Sequence, residues 1–136
     1  MTRPKRSWLP TAAFAVVCLL LAADSAMKLL QLKPAIDTNA QLGFDRTQTV
    51  LLGGLLAACL ALYVAPISRF AGALLLTAYL GGAVAIHLRA HSGPFETVFP
   101  VFAGGLVWGA LLWLSPEARR LPWLRTMTRT PNGAAS

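Results

Sequence analysis

Six ionisable side chains in or beside apolar segments are the groups of this chain that could do chemistry. A carboxylate and an ammonium four residues apart can pair on one helix face, and an imidazole can exchange a proton near neutral pH. Such groups together could bind a quinone carbonyl, an anion or a small polar solute. The six are Asp24, Lys28, His87, Arg89, His91 and Glu96.

The helices that carry these residues are expected to bring them to one place. At about 1.5 Å per helical residue, Asp24 lies about 20 Å along its apolar segment, and Lys28 and His87 each lie about 26 Å along theirs. The other three follow slightly farther out. We therefore predict one polar cluster at the external end of a helical bundle, serving as a docking or binding site.

The pair Asp24 and Lys28 also has a purely structural interpretation. An ionisable residue inside a spanning helix costs about 2.5–3.5 kcal/mol on insertion, and two opposite charges on one face reduce each other's desolvation. Lys28 would then extend towards the outer headgroups. A local salt bridge and a binding site both predict that these two side chains meet.

The histidines His87 and His91 have the four-residue spacing that lets two imidazoles bind one metal on a helix. The Gly-Pro pair at positions 93 and 94 predicts that the helix ends near His91, and no glutamate lies between the histidines. A further ligand would have to be Asp24 or Glu96. We therefore predict no metal site.

Motifs for other kinds of catalysis are missing from the sequence. Cys18 and Cys59 are isolated, without a Cys-x-x-Cys pair, and are expected to be buried small residues. There is no glycine-rich phosphate loop and no nucleophile elbow. Because no catalytic residue set is complete, we assign no reaction and favour a protein that is not an enzyme.

The composition indicates that the bilayer is the solvent of this chain. Apolar residues make up 56% of the sequence and charged residues 12%, against about a quarter in soluble domains. A helix needs about 20 residues to cross a hydrocarbon core of about 30 Å. Segments of this kind run over residues 10–32, 49–65, 67–88 and 95–114. We predict an all-α fold, a four-helix transmembrane bundle.

The first segment has an alternative as a cleaved secretory signal, since a basic start and an apolar run precede Ala22-Ala23. The continuation through Met27 to Leu30 favours a retained helix.

The distribution of the 12 lysines and arginines predicts the orientation, since basic flanks stay in the cytoplasm. Both termini are expected to be cytoplasmic, with residues 1–9 a basic N-terminus, 10–114 the membrane domain, and 115–136 a basic, partly disordered tail that begins as a helix. The chain would be multi-pass in the cell inner (cytoplasmic) membrane, with the lipid bilayer as its partner. Basic charge split between two ends argues against nucleic-acid binding. The residues on the cytoplasmic side are Arg3, Lys5, Arg6, Arg69, Arg119, Arg120, Arg125 and Arg129.

The connections predict how the helices are arranged. Residues 33–48 contain turn-forming residues and form an external loop with space for a short interfacial helix or a re-entrant turn. Residues 65–69 are too few for anything except an antiparallel hairpin. Small residues four apart predict close helix packing within the monomer, with a homodimer interface as the less favoured use. They are Gly53 and Ala57, Gly54 and Ala58, Ala78 and Gly82, and Gly105 and Gly109.

Two of the predicted helices resemble those of a known family. Residues 72–83, GALLLTAYLGGA, followed by His-Leu-Arg at 87–89, resemble the third helix of the DoxX-like membrane proteins. Residues 99–108, with a Phe-Pro-Val triplet, a glycine and a tryptophan, resemble the fourth helix. Residues 24–29 resemble the end of the first, and the likeness spans most of residues 14–124, most strongly in the third and fourth helices.

The resemblance implies a four-helix integral membrane protein in a family named for subunits linked to quinol oxidation. It suggests a quinone as ligand and a membrane redox protein as partner, and it carries over Asp24, Lys28, His87 and Arg89 as candidate site residues. The sequence departs at Leu56, where the family often has glutamate, and this departure weakens an enzymatic interpretation.

Three functions follow from these observations. The leading hypothesis is an accessory membrane protein tied to a redox or quinone-dependent partner. The second is a transporter or binding protein for a small polar or lipidic solute, and the third is a structural role in which the polar residues pair helices.

Overall fold

The computed structural model describes residues 8–115, and these residues form five helices and no strand. The predicted all-helical fold with four long apolar helices is therefore confirmed. Residues 1–7 of the predicted basic N-terminus, the predicted tail helix and the disordered segment that follows lie outside the described residues, whereas residues 8 and 9 already belong to the first helix. The helices are α1 (Trp8–Leu29), α2 (Lys33–Gln41), α3 (Arg46–Val64), α4 (Arg69–Arg89) and α5 (Pro94–Leu114).

The four long helices pack in a ring around a small apolar core. Each is long and apolar enough to cross a bilayer. Neighbours in the ring are antiparallel, with α1 against α3 and α5, and α4 against the same two. Leu56, where the sequence departs from the family pattern, is fully buried in this core. Large apolar side chains such as Leu19 and Phe102 remain exposed, as expected where the outer surface meets lipid.

The connection between α1 and α3, predicted to be an external loop with space for a short helix, contains the short helix α2. This helix packs against α1 and α3 across one end of the bundle, where α1 and α4 end and α3 and α5 begin. We call this the α2 end. A capping box holds the start of α3. The backbone N–H of Gln48 donates to Asp45 Oδ1 at 2.7 Å, and the backbone N–H of Asp45 donates to Gln48 Oε1 at 2.9 Å.

The opposite end contains the tight α3–α4 hairpin that the short connection predicted. A Cβ added at Gly72 would overlap the backbone nitrogen and Cα of Tyr63, so the two helix backbones are in direct contact there. The Arg69 guanidinium donates to the Tyr63 and Val64 carbonyls, each at 3.3 Å. These bonds satisfy carbonyls that the end of α3 leaves without a helical donor.

The predicted small-residue packing holds at Gly53. A Cβ there would lie 2.8 Å from Lys28 Cβ, and Ser25 Oγ donates to the Gly53 carbonyl at 2.8 Å, so α1 and α3 approach closely. Other glycines of the pattern face open space, because a four-residue spacing occurs on outward helix faces as well as inward ones. No heavy atom lies within 4 Å of a Cβ built at Gly54, Gly82, Gly105 or Gly109.

The turns that follow α1 and α4 each contain a residue other than glycine in the left-handed backbone conformation. Gln31 has φ 53° and His91 has φ 51°, and the amide that follows each of them bonds to the carbonyl five residues earlier. This is the Schellman arrangement, which usually takes glycine at that position. His91 therefore lies beyond the helix, and its four-residue spacing does not place it on one helix face with His87.

Candidate functional site

A cavity of about 510 Å³ lies at the α2 end, with all five helices contributing to its walls. Its volume is within the range of about 300–1,000 Å³ that small-molecule sites occupy. The walls are mainly apolar, and α2 contributes Ala35 and Asn39 to them as buried residues. The predicted site residues that line this cavity are Asp24, Lys28, His87 and Glu96.

The centre of the polar group is the Lys28 ammonium. Nζ donates to Asp24 Oδ2 at 2.6 Å and to the Tyr79 hydroxyl at 3.0 Å. The side chain of Lys28 is 13% accessible and that of Asp24 is 42% accessible. The predicted salt bridge is present, but the expectation that Lys28 extends towards the headgroups is wrong. Helical side chains lean towards the N-terminus, which turns this ammonium back into the bundle.

The packing of α1 on α3 holds Lys28 in this position. Its Cβ lies over Gly53, where a larger residue would displace it. The close approach of the two helices is thus part of the geometry of the site.

Tyr79 was not among the predicted site residues, although it completes the Lys28 contacts. The sequence signal for it is a hydroxyl-bearing side chain within an apolar helix, eight residues or about two turns before His87. That signal is weak, because a tyrosine in a spanning helix is equally consistent with packing. Only the tertiary arrangement, in which Lys28 and Tyr79 reach each other across the ring of helices, places its hydroxyl beside Lys28.

The imidazole of His87 is anchored at one ring nitrogen. Nδ1 lies 3.1 Å from Ser92 Oγ, in the turn that follows α4. The other nitrogen, Nε2, makes no hydrogen bond with the described residues. Since His87 lines the cavity, Nε2 is the ring atom that could bind a ligand.

Glu96 lies at the cavity edge in the first turn of α5, where a carboxylate interacts favourably with the helix dipole. Its backbone carbonyl would normally accept the amide of residue 100. Residue 100 is a proline, which has no N–H, so this carbonyl has no helical donor. Glu96 and Pro100 both line the cavity.

Arg89 and His91 are exposed and do not line the cavity. The structure brings four of the six predicted residues together with Tyr79, and leaves these two on the surface of the α2 end. Among residues 8–115, no group of three His, Cys, Asp or Glu side chains could hold a metal ion. Asp24 and Glu96 do not join the two histidines in such a group.

The cysteines are free, and both belong to the interior of the bundle. Cys59 is buried in the core, and Cys18 is partly buried against it. Neither lines the cavity. They pack as small apolar residues, as the sequence predicted.

Comparison with known proteins identifies a family. A family model described as DoxX-like family matches residues 12–112, a range that contains every residue lining the cavity. No curated protein and no solved structure matches the chain.

Proposed function

Because the chain belongs to the DoxX-like family and is a small multi-pass membrane protein, we propose that its cavity binds a lipid-soluble carbonyl compound of the quinone class. In this proposal the protein is an accessory component that holds the ligand for a membrane redox partner. No electron transfer is assigned to its own residues. The observation that carries the proposal is the Lys28 ammonium held between Asp24 and Tyr79 inside a mainly apolar cavity.

The hydrogen-bond inventory around Lys28 favours a carbonyl oxygen. An ammonium has three N–H donors, and Lys28 uses two of them on Asp24 and Tyr79. The Tyr79 hydroxyl accepts from Lys28 and donates to no described residue, so its own proton is also unused. A carbonyl oxygen has two lone pairs and could accept both donors. These two neighbouring donors support a carbonyl head group.

The remaining walls support an apolar, planar ligand. Phe95 and Phe99 line the cavity from α5, and Leu20 and Ile86 line it from α1 and α4. Apolar and aromatic walls with a few placed polar groups are typical of sites for small organic ligands. His87 could bind a second polar atom of the ligand through Nε2.

The proposal includes the orientation of the protein in the cell inner membrane. Both termini lie on the cytoplasmic side, and the α2 end lies on the external side. This orientation is supported by the excess of basic residues on the terminal side. A cysteine placed at exposed Thr38 in α2, with Cys18 and Cys59 replaced by alanine, should react with a membrane-impermeant maleimide added to intact cells. A cysteine placed at Ser68, in the α3–α4 turn, should react only after the membrane is opened. The reverse pattern would contradict the orientation.

The site is tested by Tyr79→Phe, measured as binding of a short-chain ubiquinone probe to the protein in lipid nanodiscs. Loss of one hydrogen bond should weaken binding about five- to tenfold. The matched control is Tyr63→Phe, because Tyr63 donates to the Val107 carbonyl in the core and does not line the cavity. Binding that is unchanged in Tyr79→Phe, or a wild-type protein that does not bind the probe, would contradict the proposal.

A further inference from the structure

We infer that the ligand is a head-and-tail lipid whose apolar tail leaves the cavity between α3 and α4 and continues into the bilayer. This inference rests on the proposed function, since it takes the polar head to lie beside Lys28 and Tyr79. It narrows the ligand class from any lipid-soluble carbonyl compound to one with a long hydrocarbon chain.

The two helices α3 and α4 are close at one end and separated by the cavity at the other. At the hairpin, Gly72 lies directly against the backbone of Tyr63. Towards the α2 end, Leu52 and Leu55 of α3 line the cavity together with Gly82 of α4. Residues that would be expected to pack across the α3–α4 interface therefore form cavity walls there.

This part of the wall is open and apolar. Leu55 is 53% exposed although it lines the cavity, and no heavy atom lies within 4 Å of a Cβ built at Gly82. Both residues belong to helices long and apolar enough to span a bilayer. The cavity is thus continuous here with the surface that faces lipid. Ala78 and Ile86, four residues before and after Gly82 on α4, also line the cavity and are apolar.

Towards the α2 end, helix α2 covers the α1 and α3 side of the cavity. Helix α2 lies over the cavity with Ala35 and Asn39 buried, and the Asn39 amide donates to the Ala35 carbonyl of its own helix at 2.7 Å. A volume of about 510 Å³ is that of a site for a drug-sized molecule. A long hydrocarbon chain must therefore extend beyond the cavity, and the α3–α4 opening leads it into lipid.

The test is Gly82→Leu, which places a side chain in the opening. Its matched control is Gly81→Leu, since a Cβ at Gly81 also meets no heavy atom within 4 Å but this residue does not line the cavity. Both changes replace a helical glycine by a better helix former, so effects on helix stability should be equal. Two benzoquinone probes with the same head are compared in nanodiscs, one with a single isoprene unit and one with a long polyprenyl tail.

We expect Gly82→Leu to weaken binding of the long-tailed probe about tenfold or more and to leave the short-tailed probe within about twofold. Gly81→Leu should leave both unchanged. If Gly82→Leu weakens the binding of both probes equally, or weakens the binding of neither, the inference is overturned. If this variant does not fold, Ala78→Leu provides the same test one turn earlier.

Failure of the proposed function gives a different result. In that case wild-type protein binds neither probe, or Tyr79→Phe leaves the binding of both unchanged. If binding requires Tyr79 but Gly82→Leu affects the long-tailed and the short-tailed probe alike, the opening between α3 and α4 is overturned and the proposed function stands.

Discussion

Replacing Gly72 with alanine should destabilise the bundle by about 3 kcal/mol, which is near the upper end for an added methyl group in a packed interior. The added Cβ would overlap the backbone nitrogen and Cα of Tyr63 and the carbonyl carbon of Leu62. No side-chain rotation can relieve a clash with backbone atoms. The α3–α4 hairpin would have to open, at the end where Arg69 holds the last carbonyls of α3.

The measurement is unfolding of the purified protein in detergent micelles, with Gly81→Ala as the control. Gly81 lies in the same helix and has open space where its Cβ would stand, so alanine there should leave stability unchanged or raise it by up to about 1 kcal/mol. Equal stability of the two variants would show that the hairpin contact is looser than the structure describes.

Replacing Asp24 with alanine should destabilise the protein by about 2 kcal/mol. Removing one partner of a fully buried ion pair costs about 3–5 kcal/mol, because the remaining charge has no compensation. Lys28 is 13% accessible but Asp24 is 42% accessible, which reduces this cost. Among residues 8–115, the ammonium would retain only the Tyr79 hydroxyl as a hydrogen-bond partner.

The double variant Asp24→Ala with Lys28→Met should recover most of the lost stability, since it removes the unpaired charge and retains an apolar chain of similar length. Unfolding of both single variants and the double variant gives the coupling free energy of the pair. A double variant no more stable than Asp24→Ala would contradict the buried-charge explanation. Recovered stability together with lost binding of the quinone probe would separate the site from a purely structural salt bridge.

Much of the architecture is predictable from local sequence alone. Crossing a bilayer requires a fixed length of apolar helix, so the four long helices follow from composition and length. The first one ends three residues before the predicted boundary, because Gln31 is left-handed. The pairing of Asp24 with Lys28 is equally local, because residues four apart share a helix face.

The composition of the site is decided by contacts between helices. Tyr79 belongs to it only because the side chains of Lys28 on α1 and Tyr79 on α4 meet across the ring of helices, where the ammonium donates to the hydroxyl. His91 was predicted as a member, yet it is exposed beyond the end of α4, because the chain turns there in a left-handed conformation.

The sequence by itself determined the four long helices, the short hairpin and the residues that share one helix face, because these depend on bond geometry and on the thickness of the bilayer. The tertiary structure decided that Lys28 points inward, that α2 covers the cavity, and that Gly53 and Gly72 mediate close packing while Gly82 borders open space. The physical reason is that helical periodicity is the same on every face. Which face meets another helix, the cavity or the lipid depends on the packing of all five helices at once.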